Sequence, residues 1–265
     1  TNNRKPTSKK FKNGKPLSDT IRLWNVTDDF LIDGNYTSGV GVQSLSNQDS
    51  VEYPELGDVI SIEMWNISKE YLKDLQNQGV AIVPTVWFDG FDEVKMIRGF
   101  NHFGTDEIVI KPLISAGADD TYRLSEADFQ NKKAELKTVF CDRGFMLQPF
   151  LNNILEDGEY SLFYFCGDYS HTILKQPKSG DFRVQEEHGG QLQSVEPNEN
   201  MLQVAEQCLA ALPENVLYAR VDLISYQDEF VVIEVELIEP SLYFNMDPAS
   251  PQRFAAAFAE QFKEH

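Results

Sequence analysis

VLYARVDLISY (216–226) and EFVVIEVELIEP (229–240) read as two long strands joined by a tight polar connection, because β-branched and aromatic residues recur in both and turn-favouring residues separate them. Along the second strand Glu234 and Glu236 stand two apart and share a face. With Gln227, Asp228 and Glu229 as a three-residue loop, Asp222 falls opposite Glu234 and Arg220 opposite Glu236. Three carboxylates and one guanidinium then converge on one patch, while Val221, Leu223, Val235 and Leu237 face a core. Carboxylates set among such apolar neighbours repel one another and are costly to desolvate without a counterion. A divalent cation is one remedy: hard oxygen ligands suit Mg2+ or Mn2+, which complete their shells with water and substrate phosphates. A solvated polar face paired with Arg220 and nearby lysines is the other reading of the same residues.

Working outward, MLQVAEQCLAALP (201–213) is an amphipathic helix ended by Pro213, and EYSLFYFCG with YSHTILKQP forms a hairpin around Gly167-Asp168. FMLQPFL (145–151) is a short apolar strand and AAAFAEQF (255–262) a closing helix. Further upstream, SKEYLKDLQNQG (68–79) opens on Ser68 as N-cap, spaces Tyr71, Leu72 and Leu75 helically and closes on Gly79. VAIVPTVWF (80–88) follows as a buried strand, EVKMIRGFNHFG (93–104) as a second helix, and EIVIKP (107–112) as a strand ending on a charge. LISAGADDTYRL (113–124) is a glycine-containing loop. Strands, helices and hairpins mixed in this way predict an α+β (mixed α/β) fold with antiparallel sheet in the C-terminal half.

Composition narrows the partners. A net charge of −19 over 265 residues offers phosphate backbones and anionic membranes nothing to bind globally, so any bound anion must meet a local positive site. Nucleic-acid and membrane binding are therefore disfavoured. Cys141, Cys166 and Cys208 are odd in number and widely spaced, which suggests neither a disulfide framework nor a zinc site, and a cytoplasmic setting fits best. The first twenty residues, rich in Lys, Asn and Ser, read as a surface arm, and the stretch to residue 60 as an irregular region without βαβ alternation.

Two further segments offer positive charge. Lys111 ends EIVIKP and precedes Ser115-Ala116-Gly117-Ala118, whose backbone N–H groups can cradle phosphate oxygens beside a lysine point charge. Taken alone, these residues favour the plainer reading, a strand-end lysine before a turn. SGDFRVQEEHGG (179–190) sets Arg183 between glycines that let backbone approach a ligand closely; a surface hairpin loop is the alternative. Lys175 and Lys178, just upstream, either serve an anionic intermediate or keep a strand soluble.

Taken in order, these segments resemble the ATP-grasp superfamily, in its glutathione-synthetase-like branch with the ribosomal-protein glutamate ligases and the cyclo-ligase of cycloserine biosynthesis. MWNISKEYLKDLQNQGVAIVPT resembles the family's lysine-bearing helix and entering strand, and VIKPLISAG its phosphate-binding strand and loop. QPFLNNILEDGEYSLFYFCGDYSHTILKQPKSGDFRVQEEHGG and YARVDL…VIEVELIEPSLYF complete the order, so that the resemblance runs from about Trp65 to the end. It implies two α+β lobes gripping ATP between antiparallel sheets, with 61–265 as the ATP-grasp domain: 65–145 as small lobe and linking elements, 146–265 as metal-binding lobe. Residues 1–60 would be an irregular or reduced counterpart of the family's N-terminal βαβ domain, and RLWNVTDDF (22–30) distantly resembles one of its segments.

By the same resemblance Lys69 and Lys111 contact ATP phosphates beside the Ser115 and Gly117 loop, and Gln148, Pro149, Phe150 and Leu151 line the adenine pocket. Glu159 holds the ribose, and Lys175 joins the nucleotide site. Asp222, Glu234 and Glu236 carry Mg2+ or Mn2+, the last standing where ribosomal-protein ligase relatives often have asparagine. Arg183 and Arg220 face the phosphorylated carboxylate, where positive charge is most useful. Glu239, Pro240, Ser241 and Tyr243 border an acceptor pocket. The implied activity is an ATP- and Mg-dependent carboxylate–amine ligation through an acyl phosphate on a small amino-acid-like substrate, in a protein of a superfamily where homodimers are common. Phosphoryl transfer of this kind rests on positioning and electrostatics, so no Ser, Cys or His nucleophile is required. A nucleotide-binding module without turnover and an ATP-grasp phosphotransferase are the rival readings.

Overall fold

The computed structural model describes residues 22–23, 42–43 and 65–261, apart from 116, 214–215 and 239. The chain divides into two units, 1–57 and 58–265. Within the first, β1 (Arg22–Leu23) pairs antiparallel with β2 (Val42–Gln43). The rest of the expected irregular region, including most of RLWNVTDDF, lies outside the described residues.

In the second unit α1 (Tyr71–Asn77) leads to β3 (Val86–Phe88), α2 (Glu93–Phe103), β4 (Glu107–Pro112), β5 (Tyr122–Ser125), α3 (Glu126–Phe140) and β6 (Phe145–Pro149). After α4 (Asn153–Glu156) come β7 (Glu159–Phe165), β8 (Asp168–Gln176), a 3-10 turn at Glu186–His188 and β9 (Gln191–Val195). α5 (Glu199–Ala210), β10 (Tyr218–Tyr226), β11 (Glu229–Glu236) and α6 (Ser250–Gln261) complete it. The strands form two antiparallel sheets, one ordered β3-β6-β4-β5 and one ordered β11-β10-β7-β8-β9, as an α+β fold requires.

Period-two alternation sorts the faces of the first sheet. Ile108 and Ile110 bury themselves with Leu147 and Phe145 against Phe100, Phe129, Leu136 and Phe140 of α2 and α3. Val109 and Lys111 therefore turn to the opposite face. Both helices are locally well specified. Asp92 caps α2 by accepting from the Lys95 N–H, and Gly104 ends it in the left-handed conformation; Ser125 and Asp128 form a reciprocal capping box on α3.

The second sheet is sorted in the same way. Met201, Ala205 and Cys208 of α5 pack on Leu162, Tyr164, Val221, Leu223 and Val235. Burial of that face leaves the alternate residues, Ser161, Phe163, Arg220, Asp222, Glu234 and Glu236, on the other. A third apolar cluster, with Val83, Val109, Phe150, Val184, Ile224 and Val231, draws on both sheets.

Several elements differ from the sequence reading. Ser68 does not cap α1: the N-cap position is Glu70, and Ser68 Oγ accepts only from the Glu70 N–H across a lead-in turn. VAIVPTVWF is not one strand. Ile82 makes a single parallel bridge to Val232, and after Pro84, which has no N–H to donate, the chain crosses to the other sheet as β3. The end of LISAGADDTYRL is strand β5, while α3 and β9 were not anticipated at all. The last hairpin turns on two residues, Gln227 and Asp228, both with positive φ (53° and 66°), rather than three. The expected register nevertheless holds, with Asp222 opposite Glu234 and Arg220 opposite Glu236, because a bulge at Ile233 supplies the extra residue.

Candidate active site

The face of the second sheet left free by α5 carries a compact charge cluster. Asp222, 1% exposed, accepts from Ser161 Oγ (2.5 Å), from Arg220 Nε (3.0 Å) and from Arg220 Nη2 (2.7 Å). Arg220 Nη2 also bridges to Glu236 Oε1. Two strands over, on β8, Lys175 Nζ donates to Glu159 of β7 (3.1 Å) and lies 3.5 Å from Asp222. Lys69 reaches in from the turn before α1, with Nζ 3.0 Å from Glu234 and 3.2 Å from the Ser115 carbonyl oxygen.

The ionisation of these groups follows from their neighbours. Burial alone would raise the Asp222 carboxyl, but Arg220 and then Lys175 bring it down to about 2. Glu234 is likewise raised by desolvation and brought below its usual range by Lys69 and Lys111. Glu236 goes the other way: withdrawal from water and the charges of Glu234 and Asp222 outweigh Arg220 and push it up to about 7. Burial pulls the Lys111 ammonium down, against the attraction of Glu234. The carboxylate oxygens of Asp222, Glu234 and Glu236 lie within 4.8 Å of one another, a hard-oxygen set of the size and charge that suits Mg2+ or Mn2+.

The segments expected to flank this cluster are arranged as follows. The loop after β4 takes left-handed backbone at Gly117, Ala118 and Asp120. Arg143 pins it by donating to Asp120 Oδ2 (2.5 Å) and to the Ile114 carbonyl (3.0 Å); Ala116 lies outside the described residues. Gln148 is buried on Thr85 (3.0 Å), Pro149 pairs with Ile108, and Phe150 carries the Arg123 guanidinium 3.6 Å above its ring. Phe150 and Leu151 belong to the apolar cluster shared by the two sheets.

Three further candidate residues are placed by their partners. Lys175 does not solubilise a strand, since only 5% of its side chain is exposed. Glu159 accepts from Lys175 Nζ (3.1 Å) within the charge cluster. Arg183 donates to Asp181, through Nε (3.1 Å) and Nη2 (2.8 Å). The sequence reading missed Ser161, two residues beyond Glu159 on the same strand face, where alternation would have found it. It also missed Asn66 and His171, for which no spacing gives a signal. Pro240, Ser241 and Tyr243 lie in the segment after β11, with Tyr243 edge-on to Phe163 at 6.1 Å; Glu239 lies outside the described residues.

Two antiparallel sheets, one bearing a carboxylate cluster and the other a lysine strand that runs into a small-residue loop, define an ATP-grasp ligase, an enzyme that spends ATP to form a C–N bond. The family described as prokaryotic glutathione synthetase, ATP-grasp domain, matches residues 91–246, and the chain belongs to it. Cycloserine biosynthesis protein DcsG of Streptomyces lavendulae is 30% identical over 220 residues, 75% of this chain and 71% of that protein. The crystal structure of D-cycloserine synthetase DcsG superposes with a TM-score of 0.67 at 27% identity, covering 82% of this chain and 80% of that one. D-Alanine–D-alanine ligase from Bacillus anthracis complexed with ATP has the same fold, with a TM-score of 0.58 at 17% identity over 78% of this chain and 72% of that one. Among the described residues no helix is long and apolar enough to cross a membrane.

Proposed function

We propose that this ligase activates a small amino-acid-like carboxylate as its acyl phosphate and transfers the acyl group to an amine, releasing ADP and phosphate. The observation that carries the reading is the convergence of Asp222, Glu234 and Glu236 on one face, ringed by Lys69, Lys111, Lys175 and Arg220. Similarity to DcsG, whose name concerns cycloserine, supports the substrate class.

In this reading Lys69 and Lys111 receive the ATP phosphates, with the backbone N–H groups of Ser115 and Gly117 beside them. Gln148, Pro149, Phe150 and Leu151 line the adenine pocket, where the apolar cluster common to both sheets offers a dry wall. Glu159 holds the ribose, and Lys175, hydrogen-bonded to it, joins the nucleotide site. Asp222, Glu234 and Glu236 would hold Mg2+, which when bound supplies positive charge to the phosphate oxygens. A substrate carboxylate oxygen bonds to the γ-phosphorus as the bond to the β–γ bridging oxygen breaks and ADP leaves. The amine nitrogen then bonds to the acyl carbon as the bond from that carbon to the phosphate oxygen breaks; phosphate departs and the nitrogen gives up one proton to solvent. Arg220, and Arg183 once released from Asp181, would offset the negative charge that develops at that carbon.

We also propose 61–265 as the ATP-grasp domain. Within it, 65–145 are the small lobe and linking elements and 146–265 the metal-binding lobe; β6, at that boundary, is hydrogen-bonded into the first sheet. The test is ADP release from ATP and Mg2+ across a panel of amino acids, with hydroxylamine as trap. Hydroxamate formation supports an acyl phosphate; ADP release with a stable phosphorylated hydroxyl product would instead support a phosphotransferase.

A further inference from the structure

Lys69 is held over Glu234 by contacts that do not involve its ammonium. On the outer edge of β11, Asn66 Nδ2 donates to the Val235 carbonyl (3.0 Å), while Asn66 Oδ1 accepts from the Leu237 N–H (2.8 Å). Tyr71 Oη accepts from the Val235 N–H (2.8 Å). All three bonds are buried, so the segment 66–71 continues the pairing of β11 with side chains in place of a further strand. The Lys69 N–H is tied in turn to the Leu113 carbonyl (2.8 Å). The ammonium, on a side chain only 13% exposed, is thereby set between Glu234 and the Ser115 carbonyl.

This arrangement opposes a divalent cation in the absence of nucleotide. A cation approaching Glu234 meets Lys69 already in contact with it, and Asp222 and Glu236 are both engaged by Arg220. A triphosphate changes that balance, because its oxygens draw the ammonium away and leave the Glu234 lone pairs open. Resting on the metal-set reading above, we propose that Lys69 is a resident counterion that makes divalent-cation binding at Asp222, Glu234 and Glu236 conditional on nucleotide. Linkage then requires metal and nucleotide to raise each other's affinity by the same factor, about 5- to 150-fold in typical coupled sites. Removing the lysine should strengthen metal binding on its own, the opposite of what loss of a merely structural side chain would do.

The test uses the full chain with Mn2+ as probe. Free Mn2+ is followed by electron paramagnetic resonance without nucleotide, for wild type, Lys69→Met and Lys69→Arg. Binding of a non-hydrolysable ATP analogue is followed by calorimetry with saturating Mn2+ and with EDTA. The expected result is Mn2+ affinity about tenfold higher in Lys69→Met than in wild type and unchanged in Lys69→Arg, with the metal–nucleotide coupling reduced in Lys69→Met. If Lys69→Met fails to fold by circular dichroism, Lys69→Gln takes its place. Mn2+ binding to the lysine-free variant no tighter than to wild type, while Mn2+ still raises analogue affinity in wild type, would overturn the counterion and leave the metal set standing. Analogue affinity indifferent to Mn2+ in wild type would overturn both.

Discussion

Asp222 draws on Ser161, Arg220 and Lys175 at once, and each of those donors is itself withdrawn from water. Replacing it by Asn removes the charge and leaves Arg220 and Lys175 in a buried site with one fewer counterion. Truncated buried pairs lose about 3–5 kcal/mol, and Asp222→Asn is expected near the lower figure because its amide oxygen still accepts one bond. Urea unfolding of the metal-free protein measures it, and a loss under about 1 kcal/mol would mean that the cluster is more hydrated than its geometry indicates. The carboxylates were legible in the sequence because strand alternation assigns faces without knowledge of tertiary contacts. The cations were only partly so. Lys175 gains its meaning from Glu159 and Asp222 across two strand pairings, and no local pattern carries that information.

At the scale of elements, loop 177–190 depends on one close approach. A Cβ at Gly190 would stand 1.9 Å from the Val184 carbonyl oxygen, beside the residue that precedes it, Arg183. Gly190→Ala is expected to displace this loop and to cost about 1–3 kcal/mol, read as a lowered melting temperature with α-helical content retained. The segment after β11 is latched differently. His171 Nε2–H donates to the Leu242 carbonyl (3.1 Å), Ser170 O–H donates to Nδ1 (2.9 Å), and Arg253 Nε donates to Ser170 Oγ (3.0 Å). This assignment follows because a carbonyl can only accept. Burial lowers the His171 pKa, against the Leu242 carbonyl and Asp247, with Arg253 acting in the same direction as burial. A histidine kept neutral in the fold contributes stability that is present above its unfolded value of about 6.5 and is lost as pH falls below that value toward the folded one. Wild type should therefore lose more stability between pH 7.5 and pH 5.5 than His171→Gln, whose amide can donate the same bond without titrating; parallel melting curves would contradict it. The last hairpin shows how a correct register can arise from a different local cause. The sequence reading put the additional residue in the turn, whereas Gln227-Asp228 adopt the primed conformation and the chain takes up the residue as a bulge at Ile233. Bulges leave no signature in an alternating apolar strand, which is why that detail was not legible.

Over the whole molecule, the α+β class and an antiparallel C-terminal sheet could be read from the segments, and a pair of antiparallel sheets followed from the resemblance, since long motifs in fixed succession constrain the fold more tightly than any one of them. α3 escaped notice although SEADF carries a capping signal, because its apolar residues are too few to stand out as a stripe. β9 escaped because an exposed edge strand with polar residues has little period to detect. The apolar cluster common to both sheets and the charge cluster on the C-terminal sheet support one account, in which a nucleotide lies against the first and its phosphates meet the second. The most direct test is calorimetric titration of the purified chain with a non-hydrolysable ATP analogue and Mg2+, beside Asp222→Asn and Glu234→Gln. Saturable binding that requires Mg2+ and is weakened at least tenfold in both variants is the predicted result. A folded wild type that fails to bind, or that binds equally without metal and in both variants, would contradict the assignment of these carboxylates.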